Sequence, residues 1–324
     1  MGHMLSANDP ESIQRAASTI KAGGLVAFPT ETVYGLGCDA MNRDAVAKVF
    51  EVKQRPEFDP LILHIANRAM LDMIVSSRLS LAEKLMDAFW PGPLTLVLPK
   101  TQAVPDLVTA GLDSVAVRMP SHAAAQAFIR AAGTPVAAPS ANPFGYVSPT
   151  TAQHVWAGLG DKVDLILDGG SCPVGVESTI LSLLGSQPEL LRPGSITIEE
   201  LGAVIGTIER PSGRDKPIAP GQLARHYATR TPLTILAAQG DRPPTARGER
   251  AGLLTFSAIG DREPLCSAYE VLSSTGDLRE AACRLFAALR RLDSLGLDRI
   301  YAEPCEDRGL GLAIMDRLKR CAAQ

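Results

Sequence analysis

Short apolar runs that stop abruptly at proline, glycine or hydroxyl residues set the terms for this chain. Residues 25–28 (LVAF), 61–65 (LILHI), 94–98 (LTLVL), 115–118 (VAVR) and 135–138 (PVAA) are strand-length and bounded by turn-forming residues. Segments with helical spacing lie between them. Asp9-Pro10 opens one that carries Ile13, Ala16, Ala17 and Ile20 and ends at Gly23. Asn42 caps another, with Val46, Val49 and Phe50, and Pro56 ends it. Ser80 with Glu83 has the form of a capping box for a helix through Phe89, Ser121 starts a further helix, and Thr197 with Glu200 forms a second box. Further strands are expected at 165–167 and 179–183. The order is α/β but not a regular βαβ alternation, so residues 5–205 read as one domain on a twisted mixed sheet.

Residues 206–230 lose apolar periodicity and gain proline, glycine and charge, which is the composition of a linker. Beyond it the rhythm is regular. Strands at 233–237, 251–256 and 300–302 and helices at 277–292 and 311–321 make residues 231–324 a small doubly wound, Rossmann-like unit. It has no G-x-G-x-x-G after its first strand, which argues against a dinucleotide site. The 324 residues suit two domains. Aromatic residues are only 5% of the chain, so its cores must be aliphatic.

The net charge of −3 is not that of a dedicated nucleic-acid binder. No apolar run is long enough to cross a bilayer. The six scattered cysteines, with no C-x-x-C pair, point to reduced thiols in a cytoplasmic compartment and to no zinc site. Met1-Gly2-His3-Met4 reads as a remnant of cloning and is set aside.

Four stretches put polar side chains at strand ends, where open α/β sheets hold ligands. They are FPTETVYG from Phe28; Lys53-Gln54-Arg55-Pro56 with Asp59-Pro60 and His64; APSANPFGYVSPTTAQHV from Ala138; and Val176-Glu177-Ser178-Thr179-Ile180 with Arg192-Pro193-Gly194. Each has a plainer reading alone: a solvated helix end for K-x-R, a turn for Ser-Ala-Asn, a core histidine for His64. Together, a lysine and an arginine two apart suit a polyphosphate, short donors sit in a proline-bounded loop, and Gly169-Gly170, Gly175 and Gly194 permit close backbone approach. There is no Walker loop and no kinase-like glycine loop. The residues alone therefore indicate an α/β enzyme for an anionic ligand.

These stretches, in this order, resemble the YrdC-type threonylcarbamoyl-AMP synthase family in its long, two-domain form. The resemblance rests on FPTETVYGLG, K-x-R-P with PL-x-x-HI, the S-x-N loop with SPTTA, and ESTI followed by LRPG. APGQLARHYA in the linker and GLGLAIMDRLKRCA at the C-terminus extend it. Asp59, Gln222 and Thr229 stand where the family pattern has asparagine, methionine and proline.

The resemblance implies a YrdC-like catalytic domain that condenses L-threonine, bicarbonate or CO2, and ATP into L-threonylcarbamoyladenylate and pyrophosphate. A tRNA threonylcarbamoyl transferase then uses the product at the adenosine beside the anticodon. It implies Thr32, Tyr34, His64, Arg118, Ala138 and Ser178 on the threonine side, and Arg55, Asp59, Ser114, Ser140, Asn142, Ser148, Arg192 and His226 on the ATP side. Lys53 and Arg55 are expected to act catalytically on phosphate charge, and Mg²⁺ to arrive with ATP without a protein metal site. His226 makes the linker an expected lid. Direct tRNA binding, or carbamoyl-adenylate chemistry of the hydrogenase-maturation kind, are the competing readings.

Overall fold

The structure is a computed structural model that describes residues 3–77, 79–210, 218–223, 226–256, 259 and 265–323. Residues 211–217 and 224–225 of the expected linker lie outside the described residues. The chain forms two compact units. The first comprises Met1–Phe144, Pro149–Pro173 and Glu177–Leu223, and the second Gly145–Ser148, Val174–Val176 and Ala224–Gln324.

The first unit is built on ten strands among the described residues. They are β1 (His3–Ser6), β2 (Val26–Phe28), β3 (Gly35–Asp39), β4 (Ile62–His64), β5 (Leu94–Pro99), β6 (Ser114–Arg118), β7 (Val136–Ala137), β8 (Leu165–Asp168), β9 (Thr179–Ser182) and β10 (Glu189–Arg192). Their order is β1-β8-β2-β3-β7-β4-β6-β5-β9-β10, with parallel and antiparallel neighbours mixed, as the sequence implies. Residues His3 and Met4, set aside above, belong to the edge strand β1, which pairs in parallel with β8.

The unit's helices are α1 (Pro10–Lys21), α2 (Arg43–Lys53), α3 (Arg68–Ile74), α4 (Ser80–Phe89), α5 (Asp106–Thr109), α6 (Ala123–Ala132), α7 (Ala152–Leu159) and α8 (Ile198–Ile205). The caps of three follow the sequence. Asp9 accepts from the amides of Glu11 and Ser12, Asn42 from those of Asp44 and Ala45, and Thr197 with Glu200 closes a reciprocal capping box. The box expected at Ser80 does not form. Leu79 is the cap residue, with no side-chain hydrogen bond, and Glu83 instead pairs with Arg68 at 3.0 Å.

No periodicity announces β3, because Gly35 and Gly37 read as turn residues. The sheet needs them for space. A Cβ on Gly37 would sit 2.8 Å from Val136 Cγ1 and 2.9 Å from the Phe28 ring. Phe28 lies across β3 and packs on Phe128 with ring centroids 5.2 Å apart.

The second unit carries β11 (Leu233–Ile235), β12 (Ala251–Thr255), β13 (Ala268–Val271), β14 (Arg299–Ala302), α9 (Leu278–Asp293) and α10 (Leu310–Ala322). Its sheet is parallel, in the order β11-β14-β12-β13. Glu303, fully buried just past β14, accepts from Thr255 Oγ1 (2.7 Å) and from the amides of Phe256 (2.9 Å) and Gly240 (2.9 Å). One carboxylate thus ties three chain segments together at the carboxyl ends of the strands.

Gly37→Ala is expected to destabilise the protein by about 1–3 kcal/mol, because the added methyl overpacks a closed core. Gly202→Ala, in α8 with nothing near the added Cβ, is expected to stabilise it by about 0.5–1 kcal/mol. Thermal and urea unfolding of the two variants should move in opposite directions.

Candidate active site

The loop between β2 and β3 is built by its hydroxyls. Thr30 Oγ1 donates to the Val33 carbonyl (2.6 Å) and accepts the amides of Thr32 and Val33 (3.2 Å each). This turn fixes Thr32, which is fully buried. Thr32 Oγ1 accepts from Arg118 Nη1 at 2.9 Å. Glu31, the next residue back, lies 2.8 Å from Arg118 Nη2. Burial works against the charge of Glu31, but the Arg118 guanidinium and the amides of Glu31 and Ser121 hold its carboxyl below the usual range.

Strand register places several polar residues in one row. His64 on β4 is opposite Arg118 on β6, and Arg118 is opposite Thr95 on β5. Thr95 Oγ1 and Ser178 Oγ are hydrogen-bonded at 2.7 Å. Arg192, at the end of β10, donates from Nε (3.1 Å) and Nη2 (3.0 Å) to the Ser178 carbonyl and from Nη2 to Ser178 Oγ (3.1 Å). The row therefore runs from His64 to Arg192 across neighbouring strands. Burial, helped by the Arg118 cation, lowers the His64 imidazole to about 3, so it is neutral at physiological pH.

Two residues back along the strands, on the same face, lie Ile62, Ala116 and Val97. With Ile180 and Leu191 they form an apolar patch covered by Ile218 and Ala219. Gln222 Oε1 holds that cover in place by accepting the amides of Ile218 (2.7 Å) and Ala219 (3.0 Å). The Gln222 side chain thus has a local task of its own.

A second cluster gathers charge. Arg55 donates from Nε to the Asp59 carbonyl (3.0 Å) and from Nη2 to the Pro60 carbonyl (2.9 Å), and lies 2.8 Å from the Asp59 carboxylate. Burial pushes the Asp59 carboxyl up, against the pull of Arg55, Lys53 and Arg192. Arg55 contacts this carboxylate directly, and Lys53 and Arg192 are near enough to act on it electrostatically. Lys53, at the end of α2, is 2% exposed, and its ammonium donates to the carbonyls of Ser140 (2.5 Å) and Asn142. Desolvation and the Arg55 charge depress its pKa strongly. Through these two bonds Lys53 holds the Ser140–Asn142 turn.

The other expected residues make contacts of their own. The Tyr34 hydroxyl donates to the Gly170 carbonyl (2.8 Å) and accepts the Gly169 amide (3.1 Å), so it braces the turn after β8. Ala138 follows β7, its amide donating to the Ile62 carbonyl (2.9 Å). Ser114 begins β6, at the opposite end from Arg118. Ser148 and His226 belong to the second unit. There the Ser148 carbonyl accepts from Arg290 Nε (3.3 Å), and the His226 ring meets Tyr227 edge-on at 4.1 Å. Gly194 makes its close approach to protein: a Cβ there would lie 2.3 Å from the Thr179 amide nitrogen. Sequence reasoning missed Glu31 and Thr95. The signal for Glu31 was a lone acid inside an apolar and hydroxyl run; Thr95, inside LTLVL, gave none.

Two family models together span the chain. One, described as "Telomere recombination" (Sua5_yciO_yrdC), matches residues 18–194, and one described as "Threonylcarbamoyl-AMP synthase, C-terminal domain" matches residues 196–323. A Bacillus subtilis (strain 168) protein named threonylcarbamoyl-AMP synthase is 45% identical over 331 residues, covering 98% of this chain and 94% of its own. A Pyrococcus abyssi protein of the same name is 43% identical over 320 residues, covering 96% and 94%. The crystal structure of P. abyssi Sua5 complexed with L-threonine matches with a TM-score of 0.89 at 41% identity, over 97% of this chain and 95% of that one. With both models matched and relatives this similar along nearly its whole length, the chain belongs to the threonylcarbamoyl-AMP synthase family, in the two-domain form.

Proposed function

We propose that the protein is an L-threonylcarbamoyladenylate synthase. The observation that carries this reading is the row from His64 and Arg118 to Ser178 and Arg192, which runs into the cluster of Lys53, Arg55 and Asp59, in a chain similar over its full length to enzymes of that name. An amino-acid subsite and a polyphosphate subsite are then neighbours on one sheet.

The threonine carboxylate is taken by the Arg118 fork, with Thr32 and Ser178 as hydroxyl partners and His64 as a neutral wall. The threonine ammonium gives up a proton to solvent, and the free amine adds to CO2 with loss of a second proton to give a carbamate. A carbamate oxygen attacks the α-phosphorus in line, the bond to the β-phosphate oxygen breaks, and pyrophosphate leaves. The protein's contribution is position and charge, with no covalent protein intermediate. Arg192 and Arg55 stabilise the oxygens that gain charge. Mg²⁺ enters as part of the ATP substrate, where it neutralises phosphate. Among the described residues no group of three or more His, Cys, Asp or Glu side chains is arranged to hold an ion. Among them, too, no helix is long and apolar enough to cross a membrane. The assignment of Ser148 and His226 to the ATP side rests on sequence resemblance alone. The reading extends to bicarbonate as the carbon source and to a cytoplasmic transferase that moves the threonylcarbamoyl group onto tRNA.

Incubation with ATP, Mg²⁺, bicarbonate and L-threonine is expected to give threonylcarbamoyl-AMP by mass spectrometry and equimolar pyrophosphate. Omitting any one component, or adding EDTA, should abolish both, and L-serine should react poorly. ATP hydrolysis that ignores threonine would overturn the assignment. Arg192→Ala is expected to slow pyrophosphate release by on the order of 10²-fold, as loss of a transition-state charge partner does. Lys53→Ala should lower both the unfolding midpoint and turnover, since it frees the Ser140–Asn142 turn; turnover lost at an unchanged midpoint would return Lys53 to a direct role on phosphate.

A further inference from the structure

Glu31 has no task in the reaction just described. It is 6% exposed, and its Oε1 lies 2.8 Å from Arg118 Nη2. Yet that contact departs from aligned hydrogen-bond geometry, and beyond it the carboxylate has only the amides of Glu31 and Ser121 beside it. Among the described residues, Nε of Arg118 and Nδ1 of His64, in the same row, have no hydrogen-bond partner. A buried ion pair serving structure alone offsets its desolvation by closing all its hydrogen bonds. Here the side-on Nε–Nη2 edge, which can take both oxygens of a carboxylate, meets Glu31 at Nη2 alone and keeps bonding capacity to spare.

The complement of such a pair is an α-amino acid zwitterion. Standard bond lengths put its ammonium nitrogen and nearer carboxylate oxygen about 3 Å apart, close to the 2.8 Å between Glu31 and Arg118. Laid head to tail, the four charges alternate in sign. We propose that Glu31 and Arg118 read the zwitterion of the amino-acid substrate together: Arg118 takes the carboxylate and Glu31 accepts a hydrogen bond from the α-ammonium. The inference rests on the threonine reading above. It makes Glu31 a specificity residue for the amine and fixes the nitrogen that becomes carboxylated.

The experiment is calorimetric titration of the full chain with L-threonine and with 3-hydroxybutanoate, the same acid without its amine. The wild-type protein is expected to prefer L-threonine by about 100-fold or more, because the analogue leaves a buried acid unpaired. Glu31→Gln should remove most of that preference by weakening L-threonine while leaving 3-hydroxybutanoate unchanged or tighter, since a negative charge beside Arg118 is gone. Parallel changes for both ligands would mean that Glu31 only orients Arg118, and would overturn the proposal. So would equal affinities for the two ligands in the wild type, a comparison that needs no variant to fold. A wild-type protein that binds ATP but neither acid would overturn the threonine reading itself, and this inference with it.

Discussion

A guanidinium buried inside a sheet is the constraint on which the first unit depends. Arg118 ends a strand whose residues are all buried, so its charge must be met from within. It is met by the β2–β3 loop, where Thr32 and Glu31 reach it. That requirement explains why a buried strand runs into Pro29 and three polar side chains. Thr30 folds the turn, Thr32 supplies a neutral acceptor, and Glu31 supplies the opposite charge. The glycines of β3 then leave room for the Phe28 ring beside them.

The same logic governs the neighbouring cations. Arg55 is anchored by its own chain at Asp59 and Pro60, Arg192 by the Ser178 carbonyl, and Lys53 by the Ser140–Asn142 turn. Long flexible side chains are thereby held in single geometries before any ligand arrives, which removes an entropic cost from binding. Asp59 offsets part of the local repulsion, and its carboxyl is raised because burial outweighs the three cations around it. Arg55 and Arg192 thus outnumber the one carboxylate of Asp59, in a weakly polarisable setting where charge acts strongly.

Much of this was legible in the sequence wherever local rules decide. The caps at Asp9, Asn42 and Thr197, the apolar strands at 61–65 and 94–98 and the parallel second unit follow from spacing and turn chemistry. What was not legible depends on partners far along the chain. The strand β3 exists because β2 and β7 pair on either side of it, which overrides its glycine content. The edge strand β1 exists because β8 offers it a ladder. Glu83 leaves its expected cap for Arg68 on another helix. Lys53 and Arg55 drew notice because they repeat an unusual pattern, K-x-R before a proline. Thr95 was hidden because its neighbours make an ordinary apolar strand, and only register brings it to Ser178.

Glu303 ties three segments of the second unit together. Parallel sheets of this type hold nucleotides or phosphates where the strand tips part, and in this one an internal anion already sits there, bonded to two backbone amides and a hydroxyl. In this unit the carboxylate serves as a permanent internal ligand, bracing the strand tips from within.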